Sequence, residues 1–169
     1  FSEIVLVGIN LSSYGKGENF DLADAVDTVC ETEGIKRVRL GSLEPDCISD
    51  EMLKRLKAQE KFCPQFHLSL QSGCDETLKR MNRHYDSKFY EDLVTRIRNM
   101  FEDAAVTTDI MVGFAGETDE EFEKSLSFVK KIGFARSHIF PYSIRKGTPA
   151  EKYPAATHST LLLIQCARQ

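Results

Sequence analysis

The sequence contains no CxxC pair, and its five cysteines, Cys30, Cys47, Cys63, Cys74 and Cys166, are odd in number and widely scattered. That pattern excludes a disulfide framework and a Cys/His metal cage, and it fits reduced thiols in a cytoplasmic setting. No apolar run exceeds a few residues, so no membrane-crossing helix is expected. There is also no signal-peptide pattern, because Phe1 leads at once into a strand-like run. Positive charge is not in excess: 22 Lys and Arg face 26 Asp and Glu, a net charge of −4. The chain as a whole is therefore not a general binder of phosphate backbones by counterion release. No internal repeat and no dividing linker is visible. A length of 169 residues predicts one domain with a real core, over residues 1–154, followed by a tail of unclear role over 155–169. An opening on Phe1, in the middle of an element, predicts a piece of a longer protein.

What is present is alternation. The stretch TTDIMVGFAGETDEEF, Thr107 to Phe122, reads as a strand, a glycine turn (Gly113-Phe114-Ala115-Gly116) and a helix opened by a Thr118-x-x-Glu121 capping box. That is the βα half of a parallel unit, and ligands of such units sit beyond the carboxyl ends of the strands. A tight turn with no ligand is the plainer alternative. Further strands are predicted over Glu3–Ile9 (continuously apolar, as if buried on both faces), Lys36–Leu40, Phe66–Leu70 and Ser137–Ser143. Helices are predicted over Asp21–Glu33, from a Ser49 cap to Gln59, from an Asp75 cap to Met81, from a Ser87 cap to Phe101, and over Asp119–Ile132 with Gly133 as its stop. Five strands alternating with helices predict an α/β fold with a parallel sheet and helices outside.

Strand parity adds a polar surface. Phe66, Leu68 and Leu70 oppose His67, Ser69 and Gln71. Thr108, Ile110 and Val112 oppose Thr107, Asp109, Met111 and Gly113. Val38 and Leu40 oppose Arg37, Arg39 and Gly41. With the apolar faces under helices, Arg39, His67, Ser69, Gln71 and Asp109 would line a barrel lumen. Packed barrel interiors are usually Val, Ile and Leu, so a polar lumen needs a ligand or an internal network, such as an Arg39–Asp109 ion pair.

The stretches EIVLVGINLSSYG, RLGSLEP, FHLSLQSGCDETLKRMNRHY, TTDIMVGFAGETDEEF and HIFPYSIRKGTPA occur in that order, from Glu3 to about Pro154. Together they resemble the radical S-adenosylmethionine (SAM) methylthiotransferases that modify tRNA. SLQSGCD, MNRHY and HIFPYSIRKGTPA look most like the branch acting on N6-threonylcarbamoyladenosine beside the anticodon. The isopentenyladenosine branch and the ribosomal-protein branch are alternatives.

The resemblance implies a partial (βα) barrel of TIM type, with SAM across the strand ends on a 4Fe–4S cluster that cleaves it to a 5′-deoxyadenosyl radical. The family's CxxxCxxC cluster loop is not in this sequence; the matched region begins at what would be the second strand. The isolated chain is thus expected to show no turnover. The resemblance implies SAM contacts at Gly8 and Asn10, Ser42 and Glu44, Ser69 and Gln71, Asp109 and Gly113, and Tyr142. It implies Arg83 as a partner for the SAM carboxylate, with a plain helix-end Arg as the alternative. Departures are the missing Gly-Gly-Glu after the first strand, Ala115 where the family usually has Pro, and the tail after Pro154. No catalytic residue is assigned and no metal ligand is present. The partner implied is tRNA, gripped by a module elsewhere. A missing first strand would leave Glu3–Ile9 as an open edge, prone to dimerise.

Two other readings remain. One is an acid–base barrel enzyme using Glu44, His67 and Asp109. The other is a barrel that binds a nucleoside and signals.

Overall fold

The computed structural model describes residues 1–156, so most of the tail, with its Leu161–Ile164 run, lies outside the described residues. By contact density the chain divides into two units. The first comprises Phe1–Ser69 and Leu93–Thr107; the second comprises Leu70–Asp92 and the chain from Thr108 onward.

The first unit opens with β1 (Glu3–Leu6), which pairs in parallel with β2 (Arg37–Leu40). Between them runs α1 (Leu22–Glu31), opened by a capping box in which Asp21 accepts from the Asp24 amide and Asp24 from the Asp21 amide. A two-residue strand, β3 (Ser42–Leu43), pairs in parallel with β4 (Gln65–Leu68), which pairs in parallel with the start of β5 (Ala105–Val112). Between β3 and β4 lies α2 (Asp50–Ala58), whose Ser49 cap accepts from the Met52 amide at 3.1 Å. The core of this unit is Val38, Leu53, Leu56, Phe66, Leu68, Ile97 and Val106, all nearly inaccessible. Phe62, Phe66 and Phe101 pack with ring centroids 5.2 to 6.2 Å apart, Phe66 meeting the other two edge to face, a geometry that aromatic quadrupoles favour.

The second unit contains α3 (Asp75–Arg80), the start of α4 (Ser87–Met100), the end of β5, α5 (Asp119–Ile132) and β6 (Arg136–Pro141), which neighbours β5 in the sheet order. The Thr118/Glu121 capping box is formed, and Gly133 ends α5 in the left-handed conformation. Tyr90 is fully buried, with its ring centroid 6.0 Å from Phe134 and 6.4 Å from Phe128.

Several expectations are corrected. The Glu3–Ile9 run is not a strand buried on both faces: β1 ends at Leu6, and Val5, Val7 and Ile9 are exposed. It pairs only with β2 among the described residues, so one backbone edge of β1 is left open there. Gly8 and Asn10 therefore sit in the loop after β1, not on its end. Ser42 begins the short strand β3 and Glu44 follows it, because the ladder is interrupted at Gly41. Tyr142 follows β6 instead of closing it. Asp75 is the first residue of α3, not its cap, and its Oδ1 accepts from the Ser87 amide. Ser87 is likewise the first residue of α4, and Asp86 accepts from the Phe89 amide at 2.7 Å. Along α5, Ser125 takes the middle of the buried face. The reason is Gly73, whose amide donates to Ser125 Oγ at 2.8 Å and where a Cβ would lie 2.7 Å from Phe128 Cβ.

Candidate functional site

The second unit encloses a cavity of about 670 Å³, within the range of small-ligand sites. Its wall is built by three local structures. The first is the end of the SLQSG segment. Gln71 is a non-glycine residue at φ 67°, a left-handed conformation that costs of order 1–3 kcal/mol and persists only where its surroundings enforce it. Here they do: the Gln71 amide donates to Asp109 O at 2.9 Å and its carbonyl accepts from the Met111 amide at 2.8 Å. Tyr85 Oη donates to Leu70 O at 3.2 Å just upstream. The Gln71 side chain is buried, lines the cavity and leaves Oε1 with no hydrogen-bond partner. A buried carbonyl oxygen without a donor costs roughly 1–3 kcal/mol, so the site asks for a ligand N–H or O–H at that atom.

The second structure is the C-terminus of α3. The Arg83 amide donates to Leu78 O at 3.0 Å and the Asn82 amide to Lys79 O at 3.1 Å, with Asn82 at φ 57°. This is a Schellman closure with Asn at the left-handed position. It turns the chain so that Lys79, Arg80, Asn82 and Arg83 all face the cavity.

The third is the glycine turn. The Glu117 amide donates to Phe114 O at 2.8 Å and Gly116 has φ 79°, the signature of a type II turn with Ala115 at its second position. Glu117 itself is almost wholly buried, and its Oε2 accepts from the Gly113 amide at 2.6 Å. The turn presents Phe114 to the cavity, with its ring centroid 4.9 Å from that of Tyr142, edge to face. Tyr142 is fixed by its amide, which donates to Val112 O at 2.8 Å.

Of the residues singled out from the sequence, the cavity brings together Gln71, Arg83 and Tyr142. Gly113 is part of the turn behind it, and Asp109 supplies the carbonyl that holds Gln71. In the first unit, Ser42 and Ser69 share a hydrogen bond at 2.9 Å, and Ser12 Oγ accepts from the Glu44 amide at 2.9 Å. Gly8 and Asn10 are exposed, and Asn10 O accepts from both the amide and hydroxyl of Ser13. His67 Nδ1 lies 2.9 Å from Thr107 Oγ1. Arg39 is engaged by Glu3 and donates to Gln65 Oε1 at 3.0 Å. Sequence reasoning missed Glu117, Arg80 and Phe140, while strand parity had already put Met111 on the face shared by Asp109 and Gly113. Glu117 had a signal, a Glu directly after a glycine turn.

Residues 4–129 match the model of the Radical SAM superfamily. The chain is 43% identical over 155 residues to a tRNA-2-methylthio-N(6)-dimethylallyladenosine synthase of Clostridium botulinum, covering 90% of this chain and 34% of that protein. It is 42% identical over 152 residues to threonylcarbamoyladenosine tRNA methylthiotransferase MtaB of Thermotoga maritima, covering 90% of this chain and 35% of that protein. The chain thus spans about a third of the length of the curated relatives it matches. Among solved structures, the radical SAM enzyme coproporphyrinogen III oxidase of Escherichia coli aligns at a TM-score of 0.65 and 18% identity, over 84% of this chain and 32% of that one. That likeness concerns the fold: α/β with parallel strands, a partial barrel-like core.

Proposed function

We propose that this chain, which belongs to the radical SAM superfamily, is the SAM-binding core of an enzyme that adds a methylthio group to C2 of N6-threonylcarbamoyladenosine next to the anticodon of tRNA. The superfamily brings SAM and 4Fe–4S clusters as its cofactors. The residues of the cavity fit the first of these. Gln71 Oε1 lacks a donor, which SAM supplies from its ribose, its adenine amino group or its ammonium. Phe114 and Tyr142 offer ring edges and faces to a purine, and Arg83 offers a cation to the carboxylate. The residues present do not fit the second. Among the described residues no group of three or more His, Cys, Asp or Glu side chains is placed to hold a metal.

Bound SAM supplies the adenosyl and methyl groups. The chain's part is positioning and exclusion of water. The strained Gln71 backbone fixes this side chain at the cavity wall before any ligand arrives, so its ordering is not charged to binding. The buried Glu117 holds the Gly113 amide and with it the turn that carries Phe114. Gly8, Asn10, Ser42, Glu44, Ser69 and Asp109 remain proposed contacts on the strength of the resemblance.

The observation that carries the reading is the unpartnered Gln71 carbonyl in a cavity of nucleoside size. The relative named for dimethylallyladenosine, at 43% identity, favours the isopentenyladenosine substrate as a second reading. Mass spectrometry of tRNA nucleosides from cells with and without the complete gene separates them. Gain of methylthio on the threonylcarbamoyl nucleoside supports the first, gain on the isopentenyl nucleoside the second, and gain on neither overturns both. We also propose that the open edge of β1 receives a further strand, in this chain from a second copy.

A further inference from the structure

The chain is acidic overall, yet the cavity wall carries Lys79, Arg80, Arg83 and Arg145, and no Asp or Glu among its described residues. Arg80 is committed to Glu121. Lys79 and Arg145 are different: both are exposed, and neither has an ion pair among the described residues. They come from separate segments, Lys79 from the last turn of α3 and Arg145 from the stretch after β6. Lys146 and Lys152 are exposed on that same stretch. The one carboxylate nearby in sequence, Glu151, accepts from the Gly147 amide at 2.7 Å and so serves its own loop. The same wall also carries Phe114, Phe140, Tyr142 and Tyr153. Cations and aromatic rings sharing one pocket wall are the pattern of single-stranded nucleic acid recognition. Phe140 and Tyr153, which the SAM reading leaves unassigned, offer ring faces to a base, and the cations suit its phosphates.

We propose that Lys79 and Arg145 each hold a phosphate of the RNA strand that presents its target nucleotide to the SAM-filled cavity, so that this core itself contributes to gripping the RNA. Net charge argues only against broad backbone binding. Two localised contacts require a local field, and the absence of carboxylates from the wall supplies it. The inference rests on the RNA reading of the site given above.

The test uses the complete protein, a fluorescent anticodon stem-loop RNA and a potassium chloride series read by anisotropy. SAM affinity is measured separately by equilibrium dialysis. The double variant Lys79→Ala/Arg145→Ala is expected to bind the RNA about tenfold more weakly at moderate salt, with the slope of log affinity against log salt reduced by roughly 1.4 to 2. Melting temperature should be unchanged, and the loss of RNA affinity should persist with SAM at saturation. The charge-keeping variant Lys79→Arg/Arg145→Lys is expected to restore the slope. If the wild-type protein binds the RNA and the alanine variant keeps its affinity and slope, the phosphate contacts are overturned while the RNA reading stands. If the wild-type protein binds SAM but no RNA, the RNA reading falls and this inference with it.

Discussion

Arg80 and Glu121 join the cavity wall to the glycine turn through two parallel contacts: Arg80 Nη1 donates to Glu121 Oε1 at 2.8 Å and Nη2 to Oε2 at 2.6 Å. The same Glu121 carboxylate accepts from the Thr118 amide at 3.0 Å, so one side chain caps α5 and anchors α3. Arg80 holds the Glu121 carboxyl below the usual carboxylate range. A group whose folded value is depressed stabilises the fold above its unfolded value, here 4.5, and that contribution is lost as the pH falls through the depressed value. Arg80→Leu is expected to cost about 2–4 kcal/mol at neutral pH by leaving a half-buried carboxylate unpaired. It should also flatten the acid limb of stability below about pH 4.5. Thermal melts across pH check both, and an unchanged acid limb would show that the pair contributes nothing.

Gln71 separates strain from function. Gly relieves the left-handed backbone penalty of Gln71 but removes the side-chain carbonyl. Gln71→Gly is expected to match or exceed the wild-type melting temperature while weakening SAM binding about tenfold, the worth of one hydrogen bond to a buried polar partner. Calorimetric titration with SAM reads the second effect. Weaker folding together with unchanged affinity would assign Gln71 a purely structural role.

Ala115 occupies the second position of a type II turn, where proline is favoured because its ring pre-sets φ near −65°. The Ala115→Pro variant should gain about 0.4–1 kcal/mol by restricting the unfolded chain. Urea denaturation measures it, and a loss of stability would mean that the Ala115 amide is needed.

Val5 on β1 and Val7 and Ile9 in the loop after it are 43%, 73% and 111% exposed, beside an open strand edge. Such an edge templates pairing with another chain. This chain is expected to self-associate with rising concentration in sedimentation velocity, and Val7→Lys to suppress it. A monodisperse monomer at high concentration would remove the proposal.

Iron–sulfur reconstitution of this chain alone is expected to yield SAM binding without release of 5′-deoxyadenosine, because no described side-chain group holds a cluster. Release of the nucleoside in an anaerobic assay would overturn this.

Much of the fold was legible because its signals are local. The Thr118/Glu121 capping box, the Ser49 cap, the Gly133 stop and the alternation Phe66-His67-Leu68 each rest on neighbours within one helical turn or one strand, and each stands in the structure. Gln71, Arg83 and Tyr142 were also named from motifs, and the cavity gathers them. Other features depended on distant partners. Serine on the buried face of α5 reads as an interruption until Gly73 is seen to donate to it. Arg80 reads as a helix-end cation until Glu121, 41 residues away, meets it. The left-handed backbone of Gln71 is invisible in its sequence, because a glutamine carries no φ preference of that kind. It arises from the hydrogen bonds to Asp109 and Met111 on β5. The sequence by itself determined the elements, their caps and the motif-bearing segments, since these follow from short-range sterics and hydrogen bonding. Tertiary structure alone decided which polar atoms are left buried without partners and which cations stay unpaired at the cavity wall. Those outcomes depend on packing between segments far apart in the chain.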